Sequence, residues 1–204
     1  METLTMITVS DFIDFLSDPK KTHLQNVEID EPGHIEIFNK IFDFSEINDE
    51  KKEKSLRSIK GTVLCFNQCI IIGSLFLGSC NFSGITFKNC QFIEPDFRIR
   101  PERLFSIRLS SFKGVIVSFI DSFFANPVII FDGEIKDITF RRITCPILWL
   151  QSMNNRGSSL KIDRFLGSTI HLPQDTCFET LGVDHLSFPL LNGDTRNSKV
   201  FLAK

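Results

Sequence analysis

Phenylalanine recurs at positions 82, 87, 92 and 97, a spacing of five held across the stretch Cys80 to Phe97, CNFSGITFKNCQFIEPDF. An α-helix places its apolar residues three and four apart, and a flat strand places them two apart. A spacing of five satisfies neither. It suits a chain that turns a corner every five residues and sends one large side chain inward per face. The residues two before each Phe are Cys80, Ile85, Cys90 and Pro95, mostly compact and apolar. Those directly before it, Asn81, Thr86, Gln91 and Asp96, are all polar.

This unit resembles that of the pentapeptide-repeat family: a small residue, a polar one, a large apolar one, then two variable positions. The resemblance implies an all-β chain wound as a right-handed, four-sided (quadrilateral) parallel β-helix. The beat is regular over about 70–97, through Ile72 and Leu77 upstream; further back, Asn67 breaks it and Phe66 holds the apolar place. Downstream the register breaks across EPDFRIRPERL and resumes at Ser110-Ser111-Phe112. Phe92 and Phe112 lie twenty residues apart. That is one coil in this family, so the two are expected to stack on one face. Phe82, Phe87, Phe92, Phe97 and Phe112 form the expected core ladder.

The chain has 204 residues, enough for one domain with a substantial core. It contains 22 Phe and no Tyr, which suits a long dry core, because a buried Tyr needs a partner for its hydroxyl. Net charge is −2, so no global field argues for nucleic acid or an anionic membrane. No run of 18 apolar residues predicts a membrane span. METLTMITVSDF has no basic region followed by an apolar run, so a cytoplasmic chain with reduced thiols is expected. Cys80 and Cys90 sit at the compact inward position of the repeat. Cys65 and Cys69 have metal-like spacing but no matching downstream Cys/His pair, and no metal or cofactor is expected.

The expected organisation is a single β-helix domain over 1–204. Residues 1–22 form an N-terminal cap with a short amphipathic helix over 8–18, where Ser10 caps the start, Phe12, Phe15 and Leu16 share a face, and Pro19 follows the end. Coils occupy 23–172, with a turn at Pro32-Gly33 and interruptions at 48–60 and 94–108. Residues 173–204, with Pro173, Pro189 and Asn192-Gly193, form an irregular C-terminal cap. The spacing of the segments GVIVSFI, PVIIF, EIKDITF, ILWL, SLKI and STIHL leaves no room for crossover helices.

The 94–108 interruption carries Arg98, Arg100, Arg103 and Arg108, and across 98–113 five basic residues against one acidic give +4. Clustered Arg grips carboxylates or phosphates, and loops carry sites on rigid scaffolds. The first reading is therefore a non-enzymatic protein-binding or scaffold module whose partner is acidic or phosphate-bearing. The family resemblance also implies protein binding. Some members mimic DNA and bind topoisomerases, and others are secreted bacterial effectors. The DNA mimics have strongly acidic faces and dimerise through their C-terminal ends; this nearly neutral, Arg-bearing chain departs from that pattern. A second reading is a carbohydrate-active enzyme using carboxylates at Asp121, Asp132, Glu134 and Asp137. A third is self-assembly, including a homodimer through the C-terminal end at Val200, Phe201 and Leu202. No zincin, nucleophile-elbow, phosphate-loop or dinucleotide motif is present.

Overall fold

The computed structural model describes residues 5–7, 11, 27–30, 34–43, 63–73, 75–76, 83–94, 105–108, 116–131, 136–151, 154–172, 177–184, 190–193 and 199–202. Nearly all of these are strand. The strands form a fourteen-stranded and a six-stranded sheet, the larger curled as a half-barrel. Pairing among the described residues is parallel except between Val27–Asp30 and His34–Phe38, which pair antiparallel; the Pro32-Gly33 turn expected between them lies outside the described residues. This antiparallel strand lies along the N-terminal edge of its ladder and pairs the backbone groups that the first parallel strand would otherwise leave open. The helix expected over 8–18 lies outside the described residues, save Asp11, which is helical.

Three ladders run through the sheets. Ladder A stacks His34–Phe38, Val63–Asn67, Gly84–Lys88, Ile116–Ile120, the first part of Asp137–Thr144, part of Asn154–Leu166, Cys177–Asp184 and Lys199–Leu202. Ladder B stacks Thr5–Ile7, Lys40–Asp43, Ile70–Ile72, Gln91–Ile93, Phe123–Phe124 and the ends of the two long strands. Ladder C, the six-stranded sheet, stacks Leu75–Phe76, Phe105–Arg108, Val128–Phe131, Ile147–Gln151, Thr169–Leu172 and Leu190–Gly193. Over residues 63–172 the chain visits A, B and C in turn five times; among the described residues no ladder C strand precedes this stretch and no ladder B strand follows it.

The returns to ladder A, from His34 through Val63, Gly84, Ile116, Asp137, Ser159 and Thr180 to Lys199, are 29, 21, 32, 21, 22, 21 and 19 residues long. Apart from the last return of 19, the basic stride is thus 21 or 22, not twenty. Two returns carry extra chain. Ile41 to Val63 is 22 residues where the next coil, Ile70 to Gly84, uses 14, so eight residues are inserted within 44–62. Gln91 to Phe105 is 14 where Phe123 to Val128 is five, so nine are inserted within 94–104. The second insertion stops short of 108, because Phe105–Arg108 is a member of ladder C. It also changes the partner of Phe92. That residue pairs with Phe124, rings stacked at 4.4 Å, rather than with Phe112, because its coil is 32 residues long.

The five-residue beat has a local cause. Along ladder A, Ile85 and Phe87 point inward two residues apart, as in any strand. Asn89 then adopts φ 53°, and the inward positions resume at Cys90 and Phe92. The left-handed corner adds one residue to the alternation, so large side chains fall five apart across it. The corner repeats once per coil at Asn39, Gln68, Asn89, Asp121, Arg142 and Arg164, with φ between 51° and 57°. Asn and Asp accept this conformation more readily than other side chains that carry a Cβ. Ile71 and Phe66 fill the same inward places one coil earlier, so the buried residue is Ile71 while Ile72 is half-buried.

The core follows from these columns. Phe66, Phe87, Phe119 and Phe140 stack along ladder A at 4.9, 5.2 and 5.2 Å, within 9° of parallel. Phe92 meets both Phe87 and Phe119 edge-on from ladder B. Cys69, Cys90 and Ser122 form the column just past the corner. Each places its sulfur or oxygen near the carbonyl two residues back, at Asn67, Lys88 and Ile120. Phe82, Phe97 and Phe112 lie outside the described residues. Where an irregular C-terminal cap was expected, Cys177–Asp184, Leu190–Gly193 and Lys199–Leu202 extend ladders A and C. Pro173 and Pro189 fall between these strands and break none of them.

Candidate interaction surfaces

Arg98, Arg100 and Arg103 fall in the nine-residue insertion and lie outside the described residues. Arg108 ends the ladder C strand Phe105–Arg108, and the register there is unbroken on both sides. The insertion leaves ladder B and rejoins at ladder C without shifting either. Strands pair with the coil before and the coil after, so extra residues at a corner do not disturb the ladder.

The carboxylates divide. Asp132 and Glu134 lie outside the described residues. Asp137 starts a ladder A strand and accepts a hydrogen bond from Ser159 Oγ. Asp121 stands at the corner at the other end of the ladder, where the Arg142 guanidinium donates to both its oxygens. Four residues of strand separate Asp137 from Arg141, whose carbonyl accepts from Asp121 N. That is about 13 Å of chain, beyond the roughly 5–9.5 Å between paired glycosidase carboxylates. The hydrogen bonds from Arg142 hold the Asp121 carboxyl below the usual carboxylate range, the opposite of what a general acid needs. Asp121 and Arg142 belong to an exposed charged corner with Arg141, Asp163 and Arg164; Asp163 lies 3.7 Å from Arg141 and 3.9 Å from Arg164.

The thiols at 65, 69, 90 and 145 are free and buried. Cys65 is on the outer side of ladder A beside Glu36, and Cys69 points into the core, so the two turn away from each other. Burial, with Glu36 beside it, pushes the Cys65 thiol up to about 12; burial does the same to Cys145. Cys90 is raised by its hydrogen bond to Cys69 and by burial. Thiols held protonated in this way act as compact apolar side chains.

Ladder B has an outer surface unlike that of ladder A. One outward column runs Met6, Ile41, Ile70, Gln91, Phe123, Thr144 and Leu166, each in register with the next. Met6, Phe123 and Leu166 are 60%, 45% and 55% exposed. The neighbouring outward column holds Asp43, Ile72, Ile93, Ala125, Pro146 and Ser168, and Asp43 is the one charged residue in the two columns. The outer side of ladder A carries Glu36, Lys88, Asp137, Arg141, Lys161 and Asp163. In sequence, ladder B is announced by consecutive apolar residues, Ile70-Ile71-Ile72 and Phe123-Phe124-Ala125, where a half-solvated strand alternates.

No protein-family model, curated protein or solved structure matches this chain. Among the described residues no helix is long and apolar enough to cross a membrane.

Proposed function

We propose that this protein is a non-enzymatic interaction module: a right-handed parallel β-helix that presents an arginine-bearing loop to an acidic or phosphate-bearing partner. The helical winding is supported by the repeated order A, B, C over residues 63–172 and by the strong preference of parallel crossovers for the right hand. A pentapeptide-like inward pair of a compact and a large residue fits Ile85/Phe87 and Cys90/Phe92, across one corner. The observation that carries the functional reading is the insertion. Nine residues stand in one coil and not in the next, the ladders on either side keep register, and three of the four clustered Arg lie in the added chain. A rigid frame holding an optional charged loop is how binding sites are grafted onto scaffolds.

The test replaces Arg98, Arg100, Arg103 and Arg108 with Ser. Wild type and variant are used side by side for affinity capture from host lysate, and the captured partner is titrated against both at low and at moderate salt. The expected result is loss of affinity in the variant and salt-sensitive binding in the wild type. A partner bound equally by both proteins refutes the assignment.

A further inference from the structure

The outer column of ladder B has an internal symmetry that the Arg-loop reading does not use. Gln91 is the fourth of its seven residues. Counted outward from Gln91, Ile70 matches Phe123, Ile41 matches Thr144, and Met6 matches Leu166. In two of the three pairs large apolar groups therefore stand at equal distances on either side of a single amide; the third sets Ile41 against Thr144. In the neighbouring column Ile93 is level with Gln91, and Ile72 and Ala125 flank it. Met6, Phe123 and Leu166 are exposed and Ile41 and Ile70 half-buried, and a largely apolar file of this length, broken at Gln91 and Thr144, is uncommon on a monomer surface.

We infer that ladder B is a self-association face, and that its occupant is a second copy of this chain turned end for end. A two-fold axis along the strand direction through Gln91 lays each column on its own copy. It sets Ile70 against the partner's Phe123, Met6 against the partner's Leu166, and Ile93 against the partner's Ile93. The two Gln91 amides meet at the axis, where each donates to and accepts from the other, so the polar residue in the middle of the file is satisfied. At the rim, the corner residues Asn39 and Gln68 come opposite the partner's Arg142 and the partner's Asp121. Neutral amides, which both donate and accept, there face one charge of each sign, and no like charges oppose.

The size of the face sets the strength. Seven strands at about 4.8 Å span about 29 Å, and three to four residues of width give about 10–13 Å. Two such faces bury about 600–750 Å² in total, below the standard size of a specific interface, so the association is weak and dissociation in the upper micromolar range is expected.

The test is sedimentation velocity on the full chain from about 1 to 200 μM, a range chosen to bracket micromolar dissociation. Wild type should shift from monomer to dimer, and Phe123→Asp, whose side chain points to solvent in the monomer, should stay monomeric with an unchanged circular dichroism spectrum. A wild type that is monomeric at the highest concentration overturns the inference, as does a dimer that Phe123→Asp leaves intact. Orientation is read by mixing Met6→Cys with Leu166→Cys, oxidising, and mapping the linkage by mass spectrometry. A 6–166 bridge is expected; a 166–166 bridge refutes the end-for-end arrangement. The four-Ser variant of the Arg cluster should dimerise like wild type, so failure of the loop reading and failure of this one are separable.

Discussion

Replacing Phe87 with Leu tests whether the ring stack stabilises the protein beyond the area it buries. Phe87 has Phe66 stacked on one side at 4.9 Å, Phe119 on the other at 5.2 Å, and Phe92 edge-on at 5.2 Å. Phe140 sits in the same column and stacks on Phe119 at 5.2 Å. Both are fully buried, and Leu retains most of the apolar volume, so the repacking cost is shared and cancels in the comparison. What differs, among the described residues, is three ring pairs against one. At about 0.5–1.5 kcal/mol per pair, Phe87→Leu should lose about 1–3 kcal/mol more than Phe140→Leu. For a chain of this size the gap is about 2–12 °C in Tm. The assay is urea unfolding followed both by circular dichroism and by the fluorescence of Trp149, the single tryptophan. Coincidence of the two curves shows that the unfolding is cooperative enough to compare. Equal losses for the two variants would show that the rings contribute only buried area.

Two glycines give a matched pair: a Cβ at Gly167 would collide with the Cys145 carbonyl oxygen and the Phe165 ring, whereas at Gly84 the nearest atom is 3.7 Å away. Thermal unfolding should show Gly167→Ala destabilised by about 1–3 kcal/mol and Gly84→Ala within about 0.5 kcal/mol of wild type; similar values would refute the packing at that corner. Asp121→Asn should alter the acid limb of stability. Arg142 lowers the folded-state pKa of Asp121, so the pair contributes above the ordinary carboxylate value near 4 and the contribution is lost as pH falls through the lower folded value. The pair is partly exposed and the effect small, but the Tm gap between variant and wild type should close below about pH 4, and a gap constant from pH 7 to 3 would contradict the pairing.

The sequence announces the corners through Phe87 and Phe92, because the left-handed residue between them leaves a five-residue mark that no helix or flat strand makes. The same mark is present at Phe119 and Phe124, and would have revealed the next coil. The positions of both insertions were also legible, as the charged run 48–60 and the arginine run after Glu94 interrupt the apolar pattern. The stride was not. The resemblance to pentapeptide repeats suggests twenty residues, and only hydrogen-bond register shows 21 or 22 and pairs Phe92 with Phe124. The C-terminal strands were hidden because Pro173 and Pro189 read as breakers of a cap, whereas prolines between strands interrupt no ladder. The apolar outer face of ladder B was visible as Ile70-Ile71-Ile72 but reads the same as a doubly buried strand. Which side of those residues meets solvent is decided by folding. Arg142 and Arg164 at left-handed corners carried no sequence signal, since the pattern there favours Asn.

The strides of ladder A have a consequence for how the chain reaches its native state. Every parallel strand pairs with one 19 to 35 residues away, about a tenth to a sixth of the 204-residue chain. All-β proteins ordinarily join distant segments and fold slowly for that reason, while helical bundles gain speed from short-range contacts. This protein is made of strands but has the contact range of a bundle. Growth from the phenylalanine-rich middle adds one turn at a time, each docking on a finished neighbour. During synthesis, the early turns can close on one another before the later ones leave the ribosome, so the exposed strand edge that invites aggregation is at any moment the width of a single coil.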